Sequence, residues 1–242
     1  MTTFHLRLRD RLIRRLLPPA IRSWWRRRER VDMGDFGQLE PPSRLMGLDR
    51  GTPVDRWYIE RFLAAHQERI HGRVLEVADD RYMRQFGGDR ITERAVLHAT
   101  PGNAAATLVG NLETGEGVPG ARFDCAIVTQ VLECVFDVAA AVRHLHHALA
   151  PGGTALVTVP AIAPVSRYDA DRWGEYWHFS DQSMSRLFVP VFGVANVRVE
   201  SHGNHASAHA CVAGMSAAEL RDEQLTAHDA DYPVVVTVVA TR

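Results

Sequence analysis

The stretch FDCAIVTQVLECVFDVAAAVRHLHHALAPGGTALVTVP, residues 123–160, decides the fold. It opens on FDCAIVTQ (123–130), an apolar run closed by Thr129 and Gln130 that reads as a buried strand. From about Asp137 to Leu149 small and apolar residues predict a helix. Pro151-Gly152-Gly153 ends it, because proline cannot continue a helix and glycine accepts a left-handed cap. TALVTVP (154–160) is the next strand. A strand, a helix and a second strand in this order make a parallel βαβ unit.

The same alternation extends in both directions. Upstream, VDRWYIERFLAAHQERI (54–70) carries Trp57, Ile59, Phe62, Leu63 and Ile70 at helical spacing, and VLEVA (74–78) is a short apolar strand. AVLHA (95–99) and ATLVG (106–110) are further strand candidates. Downstream, DQSMSRLFV (181–189) predicts a helix, VANVRVES (194–201) a strand, SAAELRDEQLTAH (216–228) a helix, and PVVVTVVA (233–240) a β-branched strand that closes an antiparallel hairpin carrying an insertion. The expected fold is α/β, a mostly parallel sheet with helices on both faces. Ligands of such sheets collect at the carboxyl ends of the strands, which points to residues 76–80, 98–99, 110–112, 129–133 and 160–168.

Composition narrows the chemistry. The 242 residues are 46% hydrophobic and 24% charged with a net charge of −1, an ordinary globular balance. The charge is uneven: residues 1–30 hold ten Arg against Asp10 and Glu29. This defines a basic N-terminal extension, residues 1–50, ahead of one domain over 51–242. The first part of the extension has Leu8, Leu12, Ile13 and Leu16 at helical spacing up to Pro18-Pro19, and a second basic piece surrounds Trp24-Trp25. Residues 4–30 could lie on an anionic membrane surface or on a protein partner, or pack on their own domain with Arg facing water. No groove-reading motif accompanies the Arg cluster and the rest of the chain is acidic, which argues against nucleic acid. All 28 basic residues are Arg, so lysine chemistry is excluded. Cys125, Cys134 and Cys211 form no CxxC pair and suit a reduced, cytoplasmic setting, with Cys125 and Cys134 expected as small buried hydrophobes. No apolar run reaches the roughly 18 residues of a membrane span. His144, His146 and His147 share one helix without a nearby carboxylate, which suits a helix face better than a metal site.

Three segments in order, VLEVADD, the 123–160 stretch and RYDADRWGEYWHFS, resemble class I S-adenosylmethionine-dependent methyltransferases. The likeness is to small members found with glycosyltransferases in bacterial saccharide and natural-product pathways, and it covers about Arg56–Ala240. It implies a Rossmann-like seven-stranded sheet of order 3-2-1-4-5-7-6 with the last strand antiparallel. S-adenosylmethionine is the implied cofactor. Its turn would be Glu76–Asp80, where Ala78 stands at the first glycine position and Asp80 at the second, with Asp79 between them. Tyr82, Phe86, Gly87 and Gly88 match the Tyr-x-x-x-Phe-Gly-Gly ending of similar members. The resemblance places the ribose-binding acid of the second strand at Ala95, with Glu93 two residues earlier, and the adenine partner at Asn111. Thr129 and Gln130 are expected to face the cofactor.

Methyl transfer from a sulfonium needs alignment and, for a hydroxyl acceptor, a proton acceptor. The aromatic segment SRYDADRWGEYWHFSDQS (166–183) suits a sugar or secondary-metabolite acceptor. Arg167, Tyr168, Trp173, Tyr176 and Trp177 are its candidate acceptor-binding residues. His178, which titrates near neutrality, is the candidate base and Asp169 the second. The expected activity is methylation of an oxygen or nitrogen of such an acceptor. The alternative is a methyltransferase-like protein without that activity that acts as a binding partner of a biosynthetic enzyme.

Overall fold

The structure, a computed structural model, describes Pro18, Ile21 and residues 34–242. The basic segments expected over residues 4–30 lie almost wholly outside the described residues. Residues up to Glu40 form one unit, with a short 3-10 turn at Gly34–Gly37, and Pro41–Arg242 form another. Within the second unit, residues 41–52 are tied to the domain by Ser43 N–H donating to Ala213 O at 3.3 Å, by Ala217 N–H donating to Thr52 O at 2.7 Å, and by the Arg50–Glu219 ion pair.

The chain then runs through α1 (Val54–Ala65), β1 (Gly72–Val77), β2 (Ile91–His98), β3 (Leu108–Val109), β4 (Phe123–Thr129), α2 (Val138–Ala148) and β5 (Leu149–Pro160). A short helix α3 (Arg167–Ala170) precedes α4 (Asp181–Phe192), β6 (Val197–His202), α5 (His205–Val212), α6 (Asp222–Thr226) and β7 (Val235–Thr241). The seven strands form one sheet of order β3-β2-β1-β4-β5-β7-β6. All pairs from β3 to β5 are parallel, and β7 is antiparallel to both β5 and β6. This is the Rossmann-like methyltransferase fold that the resemblance implied.

Side chains alternate strictly across the sheet, as the pleat requires. Leu75, Ala126, Val128, Val157 and Val236 pack on one face under Val142, Leu145, Met184 and Phe188 of α2 and α4. Val74, Cys125, Ile127, Leu156 and Val235 face the other way, against Ile59, Phe62 and Leu63 of α1 and Cys211 of α5. Burying each such Leu or Phe contributes about 1.5–3 kcal/mol, which is why the apolar strand runs show no polar face. Asp137 caps α2 by accepting from Ala140 N–H at 2.8 Å.

Three local expectations change. Pro151-Gly152-Gly153 lies inside the span of β5 as a bulge, since Phe123 pairs with Leu149 while Cys125 pairs with Thr154. The helix expected over 216–228 is broken into a 3-10 turn (Ala217–Glu219) and α6. The cause is Leu220 and Arg221, which are extended with ψ of 151° at both. A helix absent from the sequence reading, α5, follows β6. Asn204 caps it by accepting from Ala206 and Ser207 N–H, while Ser207 Oγ returns to Asn204 N–H as a capping box.

Candidate active site

The carboxyl ends of β1, β2, β4 and β5 are brought together by the loops that leave them. After β1, Glu76 ends the strand pattern with a buried carboxylate, and its two oxygens accept from Tyr82 N–H at 3.0 Å and Met83 N–H at 2.7 Å. Glu76 is thus a clamp that closes the turn from behind rather than a group presented to a ligand. Burial outweighs these two donors and, with Asp79 and Asp80 nearby, pushes its carboxyl up to about 7. Asp79 accepts from Arg81 N–H, and Asp80 pairs with Arg84. Tyr82 is buried, stacked on Phe86 at 6.2 Å with the Arg81 guanidinium over its ring.

Ala78 has φ of +78°, a conformation that glycine adopts freely and an L-residue only with strain. The turn of the glycine-bearing family motif is therefore kept in an alanine. Two hydrogen bonds hold it: Ala78 N–H donates to Leu97 O at 2.9 Å, and Asn103 Nδ2 donates to Ala78 O at 2.8 Å.

The expectation for the ribose-binding acid is overturned by the register. Ala95 is 2% exposed and pairs with Leu75 in the middle of the sheet, so it never reaches the strand end. Glu93 pairs with Arg73 at the start of β1 and forms an ion pair with Arg122, which precedes β4; it belongs to the opposite edge. The residue at the carboxyl end of β2 is His98, whose Nδ1 lies 2.7 Å from Thr100 O. Asn111, just past β3, uses its side-chain oxygen to accept from Glu113 N–H at 2.7 Å.

At the end of β4, Thr129 pairs with Thr158, and Gln130 turns away with φ of +51°. Its amide Nε2 is buried without a protein acceptor. Buried donors are nearly always satisfied, and with the left-handed turn at Ala78 this free donor fits a cofactor at the β1–β4 crevice.

The segment 166–180 leaves β5 and crosses this crevice. Phe179 N–H donates to Pro160 O at 2.8 Å, Trp177 Nε1 donates to Val135 O at 3.1 Å and to Phe136 O at 3.2 Å, and Tyr176 N–H donates to Glu133 O at 2.7 Å. At the far end Trp173 meets the His98 ring edge-on, with centroids 6.1 Å apart. Tyr168, Trp173, Tyr176 and Trp177 are all exposed, and Phe136 joins Tyr176 at 5.3 Å and Trp177 at 5.8 Å. Arg167 pairs with Asp171 at 3.8 Å, and Asp169 N–H is capped by Ser166 Oγ.

His178 Nε2 lies 3.1 Å from Glu175 Oε1, and Glu175 Oε2 accepts from Ser166 N–H at 2.7 Å. The Glu175 side chain is 6% exposed and that of His178 32%. With the neutral imidazole's proton on Nε2 toward this carboxylate, Nδ1 is the free acceptor. Glu133 and Glu175 are the site residues that the sequence reading passed over. The available signal for Glu133 was an acid inside the apolar run Val131–Val135, directly after a strand end.

His144 Nδ1 contacts Leu112 O at 2.8 Å and His146 packs edge-on against Phe192 at 4.8 Å, so this helix spends its imidazoles on packing. Burial pushes the Cys125 and Cys211 thiols up, and that of Cys134 up to about 12. Among the described residues no helix is long and apolar enough to cross a membrane.

Strand order, the clamped turn after β1 and the loops over the crevice define the class of Rossmann-like methyltransferases. The chain belongs to the methyltransferase domain family, which matches residues 49–221, and S-adenosylmethionine is its cofactor. A crystal structure of an S-adenosylmethionine-dependent methyltransferase from Mesorhizobium loti is similar with a TM-score of 0.51 at 19% identity, covering 81% of this chain and 100% of its own. A second from Archaeoglobus fulgidus gives a TM-score of 0.52 at 8% identity, covering 77% and 94%. These likenesses show the fold. No curated protein sequence matches the chain significantly.

Proposed function

We propose that the protein transfers a methyl group to an oxygen or nitrogen of a saccharide or secondary-metabolite acceptor held by the aromatic segment 166–180. The observation that carries this reading is the position of that segment: Trp173 against His98 at the end of β2 and Trp177 against the loop after β4 lay exposed rings across the crevice. Aromatic faces with a few polar groups are what a ring-shaped, hydroxylated acceptor needs.

The residues that would hold the cofactor are the turn Ala78–Asp80 backed by Glu76 and Tyr82, with His98, Asn111, Thr129 and Gln130. S-adenosylmethionine supplies a sulfonium methyl, an already activated carbon. The chain's own work is to align the acceptor, exclude water and take a proton. His178 is the proton acceptor through Nδ1, with Glu175 as the residue that fixes its orientation, and Asp169, in α3, is a second acceptor. Arg167, Tyr168, Trp173, Tyr176 and Trp177 bind the acceptor.

The test is calorimetry with S-adenosylhomocysteine, followed by methyl transfer to a panel of saccharides and polyketide-like phenols. Binding with a Kd below millimolar, and turnover that Trp173→Ala lowers by about tenfold or more, are the expected results. No heat and no thermal shift at millimolar ligand would refute the reading.

A further inference from the structure

The inner wall of the acceptor crevice is acidic. Glu133 is 7% exposed and follows β4; Oε2 of its carboxyl is buried with no protein donor. The Tyr176 N–H to Glu133 O bond at 2.7 Å draws Glu175 alongside, and the Ser166 N–H to Glu175 bond ties in the turn that carries Asp169. Asp55, in the first turn of α1, lies within electrostatic range of the same carboxyl. Burial first, then Glu175, Asp169 and Asp55, push Glu133 well above the ordinary carboxylate range. Burial likewise raises Asp55.

Of the neighbouring cations, Arg56 lies beside Asp55, and Arg167 and Arg172 are engaged within their own segment. Arg167 pairs with Asp171, while Arg172 donates to Tyr168 O at 2.7 Å and lies 3.6 Å over the Tyr168 ring. His178 is held by Glu175. Glu133 Oε2 is thus a buried oxygen without a donor, with the carboxyls of Glu175 and Asp169 on the adjoining segment that bears the exposed Trp173, Tyr176 and Trp177.

We propose that Glu133, with Glu175 and Asp169 on the segment beside it, forms a subsite for a protonated amine, so that the acceptor is an amine-bearing molecule. This rests on the methyl-transfer reading and names its acceptor class. An ammonium brings three donors and a charge, where a hydroxyl brings one donor and no charge. As the ammonium binds, Glu133 releases its proton to solvent, so that its carboxylate supplies a charge-assisted hydrogen bond and the aromatic faces add cation–π attraction. Both features favour the amine over an otherwise identical alcohol.

The full-length protein is titrated by calorimetry with S-adenosylhomocysteine and then with two matched pairs, glucosamine against glucose and phenethylamine against phenylethanol. The expected result is that at least one amine binds about tenfold or more tightly than its hydroxyl counterpart, since a hydrogen bond to a charged group is worth about 1.5–3 kcal/mol. Glu133→Gln, which keeps the shape, is expected to abolish that preference while leaving S-adenosylhomocysteine affinity within threefold. Asp169→Asn, on the exposed segment, is expected to reduce the preference and serves as the second variant if the first is unstable. Binding of S-adenosylhomocysteine without amine preference, or a preference that survives both substitutions, overturns the subsite alone. Amine preference with no response to S-adenosylhomocysteine overturns the methyl-transfer reading and leaves the subsite.

Discussion

Ala78→Gly is expected to stabilise the protein although it removes a methyl group. Ala78 has φ of +78° and is exposed, so its methyl adds strain and little burial. An L-residue in the left-handed region costs about 1–2 kcal/mol. Glycine gives back about 0.4–1 kcal/mol through the greater freedom of the unfolded chain. The net gain is about 0.5–1 kcal/mol, a Tm rise of about 1–4 °C for a chain of this size. The backbone will not relax in the wild type, because Leu97 O and Asn103 Nδ2 hold both sides of the residue. Differential scanning calorimetry measures the shift, with Ala139→Gly on the exposed face of α2 as the control of opposite sign, about 1 kcal/mol less stable. The same substitution opens space at the turn, so S-adenosylhomocysteine is expected to bind more tightly. A lower Tm in Ala78→Gly would refute the claim that the wild-type turn is strained, and unchanged affinity would refute the claim that the methyl crowds the cofactor.

Other consequences are as direct. Glu76, pushed up to about 7 from an ordinary 4.5, holds a proton in the folded protein that the unfolded chain has released. Stability from this group is complete below about pH 4.5 and declines as pH rises to 7; urea titrations across that range should show the fall, and Glu76→Gln should flatten it at a lower starting value. Gly87→Ala should cost about 1–3 kcal/mol by denaturant unfolding, since its Cβ would stand 2.4 Å from Ile91 Cδ1 and 2.9 Å from Ile70 Cγ2. Gly88→Ala meets nothing within 4 Å and should cost about 1–3 kcal/mol from backbone strain, since φ of +55° with ψ of −132° lies outside the left-handed region that L-residues reach. Trp177→Phe removes the donor to Val135 O and Phe136 O; a loss of about 1 kcal/mol and faster proteolysis within 166–180 are the expected outcomes.

The sheet was legible because its strands are buried on both faces and write themselves as continuous apolar runs, most plainly at 123–130 and 154–160. The order of the strands came from the resemblance and not from periodicity. The α5 helix was hidden because HASAHACV has small residues all round and no apolar stripe; its start is fixed by Asn204, whose cap shows only once β6 is known to end at His202. The ribose-acid expectation went wrong by register: the resemblance put the acid's place at Ala95, while pairing sets Ala95 opposite Leu75, three residues short of His98. Glu175 was overlooked because it stands among louder aromatics. Its role is visible only where its carboxylate meets Ser166 N–H and the His178 ring.

The Glu76 clamp also bears on how the cofactor turn behaves before anything binds. With Glu76 holding the Tyr82 and Met83 amides and the Leu97 carbonyl and Asn103 amide holding Ala78, the turn from 77 to 83 is preorganised. Association then spends no ordering entropy on this segment. The Tyr82 and Met83 amides should exchange with solvent deuterium only through the opening of β1 itself, and cofactor should slow both by the same factor, 1 + [L]/Kd.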